Sequence, residues 1–124
     1  ASEEANGPLA AKQAIAAAEG DRTLRSKVFD VARDADWPWH YTGRVVGNDF
    51  SDRWHKNISG LQADIDTQRD VYNASDEDDF STRVVIAGEA VDLISSVEPA
   101  AKIVADTVDG AVRLLRGASG FLRS

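Results

Sequence analysis

The chain has 124 residues, a formal net charge of −7, no cysteine and no methionine. That length bounds it to one domain or part of one, and the acidic balance argues against non-specific binding to nucleic acid or to an anionic membrane. Missing thiols exclude disulfide frameworks, thiol nucleophiles and cysteine-ligated metals, and fit a reducing, cytoplasmic setting.

The chain opens Ala1-Ser2-Glu3-Glu4. With no methionine, this start is expected to be that of a trimmed, cleaved or fragmentary product. No signal peptide is expected, and no apolar run approaches the roughly 18 residues of a membrane span. Ser2 can cap a short turn, with Glu3 and Glu4 near the positive end of its backbone dipole. Gly7-Pro8 restarts the chain as a helix over Leu9–Glu19, alanine-rich and thin on its apolar face, which Gly20-Asp21 ends. Thr23 to Phe29 alternates in polarity, the pattern of one short extended segment that must find a pairing partner. Asp34 to Thr42 reads as an ordered loop, in which Pro38 drives Trp37 out of helical backbone and Trp37, Trp39 and Tyr41 anchor on a core.

From Arg44 the period changes: Val46, Phe50 and Trp54 recur four apart, a helical face of large side chains. Asn57 or Ser59 caps the next helix, whose inner stripe is Leu61, Ile65, Gln68 and Tyr72. Asn73 to Asp79 is an acidic loop. Its Asp76-Glu77-Asp78-Asp79 run lacks the glycine and closing glutamate of a calcium loop, so a solvated charge run is expected. A denser apolar segment spans Arg83–Ile94. Ser95 or Ser96 begins the last element, with Pro99 in its first turn. Ile103, Val104, Thr107, Val108, Ala111, Val112, Leu114 and Leu115 make it the best amphipathic helix in the chain, with Gly117 placed to end it.

All three tryptophans and His40 fall within Val28–Trp54, and His55 follows directly, which makes this stretch the first place to look for chemistry. The two histidines lack the spacing of a helical metal pair, so no metal site is expected. No nucleophile elbow, Walker loop or dinucleotide fingerprint is present. Ala87-Gly88-Glu89 is the nearest thing to a close-approach site, since a glycine lets backbone come near a planar ligand, although helix packing explains it equally.

Taken together the segments resemble a family. Ala1-Ser2-Glu3-Glu4-Ala5 and Ala11-Lys12-Gln13-Ala14-Ile15 resemble the stretch after the eighth barrel strand of nitronate monooxygenases, the FMN flavoproteins also called 2-nitropropane dioxygenases. Val28-Phe29-Asp30-Val31-Ala32-Arg33, Trp37-Pro38, Gly43-Arg44-Val45-Val46-Gly47-Asn48-Asp49-Phe50 and Arg53-Trp54-His55 follow in the family's order. So do Ala87-Gly88-Glu89-Ala90-Val91-Asp92-Leu93-Ile94 and Pro99-Ala100-Ala101, so the similarity covers nearly the whole chain. No single motif in it is diagnostic.

The resemblance implies a mainly α fold with one short strand, the C-terminal part of a (β/α)8 TIM-barrel flavoprotein. Residues 1–22 would form the last barrel helix region, 23–98 the helical covering subdomain, and 99–124 the C-terminal helix and tail. The intact protein would oxidise alkyl nitronates with molecular oxygen. Its FMN would be bound mostly by residues outside this chain, which also would lack the catalytic base. Ala87, Gly88 and Glu89 match a run that lies close to the flavin ring in the family. Asp92 stands where the family usually has glycine, which puts a tight contact there in doubt, because a carboxylate needs solvent or a partner. The implied partner is the remainder of the barrel, with Trp37, Phe50 and Trp54 anchoring the subdomain on it and Trp39 packing alongside.

Two other readings are open. One is a free-standing acidic helical interaction module with Trp37, Trp39 and Phe50 as its contact patch. The other is a related barrel flavoprotein such as a flavin-dependent enoyl reductase.

Overall fold

A computed structural model describes residues 1–118. Helices dominate: α1 (Leu9–Ala16), α2 (Val28–Ala32), α3 (Asp49–Trp54), α4 (Ile58–Ala63), α5 (Ile65–Ala74) and α6 (Ala100–Ala118). Gly20–Arg22 and Glu89–Leu93 form 3-10 turns. Among the described residues there are two strands rather than the single one expected. β1 (Thr23–Ser26) pairs antiparallel with β2 (Gly43–Val46) in the register Thr23↔Val46, Leu24↔Val45, Arg25↔Arg44 and Ser26↔Gly43. Val46, assigned by its spacing to a helix, thus belongs to β2. The like charges that face each other at Arg25 and Arg44 are drawn apart, Arg25 to the Thr42 carbonyl at 3.1 Å and Arg44 to Glu89 at 2.9 Å. Residues 85–87 lie along the other edge of β2. The Val46 N–H donates to the Val85 carbonyl at 2.9 Å, and the Ala87 N–H to the Arg44 carbonyl at 3.4 Å.

The alternation from Thr23 holds only as far as Ser26. Ser26 turns the chain, its buried hydroxyl accepting from the Val28 N–H at 3.2 Å, and Phe29 enters the core from a helix. Although α2 has only five residues it buries Val28, Phe29 and Ala32. Phe29 stacks on Phe50 at 5.7 Å, and Tyr72 closes a triangle at 6.4 Å from Phe29 and 5.8 Å from Phe50. Leu61, fully buried on α4, and Trp54 on α3 complete this core with Val45. Burial of each such side chain stabilises the fold by about 2–3 kcal/mol. Phe50 and Trp54 therefore hold the chain's own core and do not present themselves to a partner, which corrects their expected roles as anchors or contact residues.

Helix ends follow local chemistry. Asn48 caps α3 in a reciprocal box: its side-chain carbonyl accepts from the Ser51 N–H at 2.9 Å, and the Ser51 hydroxyl accepts from the Asn48 N–H at 2.8 Å. The Asn48 amide donates in turn to the Phe80 and Arg83 carbonyls, both at 3.0 Å. Asn57 rather than Ser59 caps α4. The expected helix through Tyr72 breaks at Asp64, whose backbone leaves helical geometry and whose carboxylate accepts from Gln68 at 2.7 Å. That hydrogen bond holds the Asp64 carboxyl below its usual range. The end of α2 is closed by the Ala35 N–H on the Asp30 carbonyl and the Asp34 N–H on that of Val31. Asp34 sits at φ 54°, where glycine is usual.

The N-terminal and C-terminal thirds meet. Ser2 caps its turn through the Ala5 N–H at 3.1 Å, as expected, and then bridges Glu98 in parallel. The Glu3 N–H donates to the Glu98 carbonyl at 2.9 Å. Glu4 has its main partner outside its own turn: its carboxylate accepts from the Ala100 N–H at 2.8 Å, capping α6 from the far end of the chain and lowering its own pKa. The last helix thus begins at Ala100, later than Ser95 or Ser96. It continues through Gly117 instead of stopping there, since glycine weakens a helix without by itself ending one. Residues 119–124, the tail of the expected third division, lie outside the described residues. Similarly α1 ends at Ala16, short of the expected Glu19.

Candidate functional site

Two places gather side chains that the core does not use. The first is the segment Ala87-Gly88-Glu89. Backbone pairing with β2 fixes Ala87, and the Gly88 carbonyl accepts from the Val91 N–H at 3.2 Å to open the 3-10 turn. Glu89 reaches back to Arg44, which also donates to the Thr23 hydroxyl at 3.1 Å. Gly88 has φ −80° and ψ 171°, extended backbone that any residue adopts, and a Cβ built there meets nothing within 4 Å. Neither conformation nor crowding requires glycine at this position.

Other glycines contrast with it. A Cβ at Gly20 would meet the Glu89 carbonyl oxygen at 2.7 Å and the Asp92 carboxylate. One at Gly47 would lie 2.9 Å from the Arg22 carbonyl oxygen. Asp92, whose carboxylate was in doubt, has its partner in the Gly20 N–H at 2.5 Å. The tight contact near that turn is therefore made by Gly20 against Asp92, with the carboxylate itself as one wall.

Gly88 and Glu89 are open to solvent, and Ala87 is half-buried. They do not suit a phosphate, since the nearest charge is the Glu89 carboxylate. Any phosphate of a flavin would have to be held by other residues. Among the described residues, no group of three His, Cys, Asp or Glu side chains is placed to hold a metal ion. His55 Nδ1 lies 3.1 Å from the Ser26 hydroxyl, and His40 packs against Tyr41 at 4.3 Å between ring centroids, so the two histidines serve separate structural contacts.

The second place is a groove of about 320 Å³ between α2, the aromatic loop and the α4–α5 pair. Trp37, Trp39 and Tyr41 line it and are all more than half exposed, so they do not anchor their loop on this chain's core as expected. The loop is held instead by contacts among its own rings, Trp37 edge-on to Tyr41 at 6.2 Å, and by the Lys27 ammonium 3.5 Å from the centre of Trp39. Below them Arg69 pairs with Asp34 at 2.5 Å. Sequence reasoning missed Lys27, which was only one member of the alternating Thr23–Phe29 segment, and Arg69, which carried no signal. No spacing rule relates residues brought together only by packing of α5 on α2.

A third feature is the face of α6. Val104, Val108 and Leu115 are 62%, 55% and 73% exposed, and no residue of the helix is buried. Its apolar stripe is as regular as expected and lies bare. Comparison with protein-family models, with curated proteins and with solved structures returns no match.

Proposed function

We propose that these residues are the C-terminal part of an FMN-dependent nitronate monooxygenase-like oxidoreductase, working in a reducing cytoplasmic setting. They comprise the last helix region of a (β/α)8 barrel and the helical subdomain that covers the barrel mouth. The ordered motifs from Ala1 to Ala101 support the family. The structural observation that carries the covering role is the bare apolar stripe of α6, a patch that soluble proteins seldom leave open unless another surface meets it. In this reading α1 belongs to the barrel wall, the stripe of α6 packs on the barrel, and Gly88 faces the flavin.

When bound, FMN supplies the electron chemistry of nitronate oxidation by oxygen. This chain's residues contribute an open backbone at Gly88 against which a flat ring can lie. They also contribute apolar cover that keeps water out of the pocket. The Arg44–Glu89 ion pair holds that backbone on the edge of β2. The phosphate-binding residues and the base fall to the barrel.

The 124 residues alone are expected neither to retain FMN nor to consume oxygen with propane-2-nitronate. The longer polypeptide encoded with the sequence upstream of Ala1 should carry a Gly-Thr-Arg-Phe-type strand there, purify yellow and show nitronate-dependent oxygen uptake. A stoichiometric flavin spectrum from the 124 residues alone would refute the division of labour. An unrelated upstream domain without flavin would favour the interaction module, now without Phe50 in its contact patch. Flavin with reduced-nicotinamide-dependent enoyl reduction, and no nitronate turnover, would favour the enoyl reductase.

A further inference from the structure

We propose that the aromatic groove binds a small organic anion with a flat apolar body, of the aromatic carboxylate class. The proposal does not depend on the flavoprotein reading, and none of Ala87, Gly88 and Glu89 lines the groove.

Charge accounting carries it. Two carboxylates line the groove, and each has its own guanidinium: Asp34 pairs with Arg69 at 2.5 Å, and Asp30 with Arg33 at 3.5 Å. Lys27 is different. Its ammonium rests on the Trp39 ring, and among the described residues no carboxylate lies within ion-pairing distance of it. A cation–π contact at an exposed site is worth only about 0.5–1 kcal/mol and leaves the ammonium's three donors largely free. Arg69, which also lines the groove, has its Nε buried without an acceptor. The four charged side chains of the lining balance in sum, and what the groove offers is the Lys27 ammonium, without a carboxylate partner of its own, next to aromatic faces.

A carboxylate takes both features. Its two oxygens accept from an ammonium, and a ring attached to it can lie against Trp37, Trp39 or Tyr41. The volume of about 320 Å³ accommodates a single ring with a short side chain. An organic cation is the poorer guest. On Trp39 it would compete with the Lys27 ammonium, and it would find both carboxylates already engaged.

The test titrates the full 124-residue chain with benzoate, benzamide, benzylammonium and acetate, by calorimetry and by indole fluorescence. Two of the three tryptophans, Trp37 and Trp39, line the groove, whereas Trp54 lies in the core. Benzoate is expected to saturate with Kd of roughly 0.1–1 mM, the range open to a ligand of about ten heavy atoms. Benzamide, benzylammonium and acetate, each lacking charge, sign or ring, should bind at least about tenfold more weakly. Lys27→Gln and Trp39→Ala should each weaken benzoate about tenfold, while far-ultraviolet dichroism and the melting temperature report that the fold persists. No saturation by benzoate below about 10 mM, benzylammonium binding as tightly as benzoate, or unchanged affinity in a folded Lys27→Gln would each overturn the proposal.

Discussion

Asn48 offers a test of how the site is held, because one side chain does two jobs that different substitutions separate. Its carbonyl oxygen caps α3, while its amide nitrogen ties the Phe80 and Arg83 carbonyls, both at 3.0 Å. That tie holds the start of the segment that runs through Val85 and Ala87 along β2 and so places Gly88. Loss of the cap costs about 1 kcal/mol, and loss of each amide hydrogen bond, with a half-buried carbonyl left behind, about another 1 kcal/mol. Asn48→Ala should therefore lose about 3 kcal/mol, and Asn48→Ser, which keeps a capping oxygen, about 2 kcal/mol. Asn48→Asp is the informative variant. Aspartate caps as well as asparagine, but here it would set a second carboxylate oxygen against two carbonyls, so a loss of about 2–3 kcal/mol is expected. Urea denaturation followed by far-ultraviolet dichroism measures all three, and the alanine variant should melt roughly 10 °C below the parent. An Asn48→Asp protein within about 0.5 kcal/mol of the parent would show that the amide contacts are not contributing and refute the reasoning.

Further outcomes follow from the same coordinates. Gly20→Ala should destabilise by about 1–3 kcal/mol, since its Cβ has no room against the Glu89 carbonyl oxygen, whereas Gly88→Ala should change the melting temperature little. In an intact flavoprotein Gly88→Leu should then lower flavin content without lowering stability, and equal losses of both would argue against a flavin-facing role. Phe29→Ala removes the centre of the aromatic triangle and should cost about 3–5 kcal/mol by chemical denaturation. Asp34→Gly gives up an exposed ion pair worth about 0.5 kcal/mol but relieves a left-handed backbone costing about 1 kcal/mol, so a small gain in melting temperature is expected. Glu4 is held below its ordinary value of 4.5 by the Ala100 N–H. A depressed folded pKa means that the cap's contribution is full above that value and fades as pH falls through the folded one. Amide exchange at Ala100 should therefore accelerate on acidification, and Glu4→Gln should flatten that dependence.

The parts legible in the sequence are those decided locally. Asn57 announces a helix start by its own side chain, Gln68 and Tyr72 repeat on the buried face of α5, and α6 carries its stripe openly. Pairing was less legible. β2 hid inside a stretch whose Val46, Phe50 and Trp54 spacing matches a helix, because its strand character depends on β1, some twenty residues earlier. Phe29 kept step with the alternation before it, yet three-dimensional packing against Phe50 and Tyr72 put it on a helix. The break at Asp64 depends on a carboxylate choosing Gln68 over solvent. Burial of the indoles was the hardest to read: Trp37 and Trp39 look the same in sequence as Trp54, and only Trp54 finds a core. At the candidate site, Gly88 stood out as a residue type, but that its glycine is unused by the fold emerges only beside Gly20 and Gly47.

The clasp between Ala1–Glu4 and Glu98–Ala100 acts as the pivot of a long lever. At 1.5 Å per residue, α6 reaches about 28 Å from its capped end. A change of about 10° in the angle at which Glu4 receives it sweeps the far end through about 5 Å, a full turn of helix. The aim of the apolar stripe is therefore sensitive to the way Ala1–Glu4 meet Glu98–Ala100. A small rotation at that clasp moves Leu115 further than it moves Ile103.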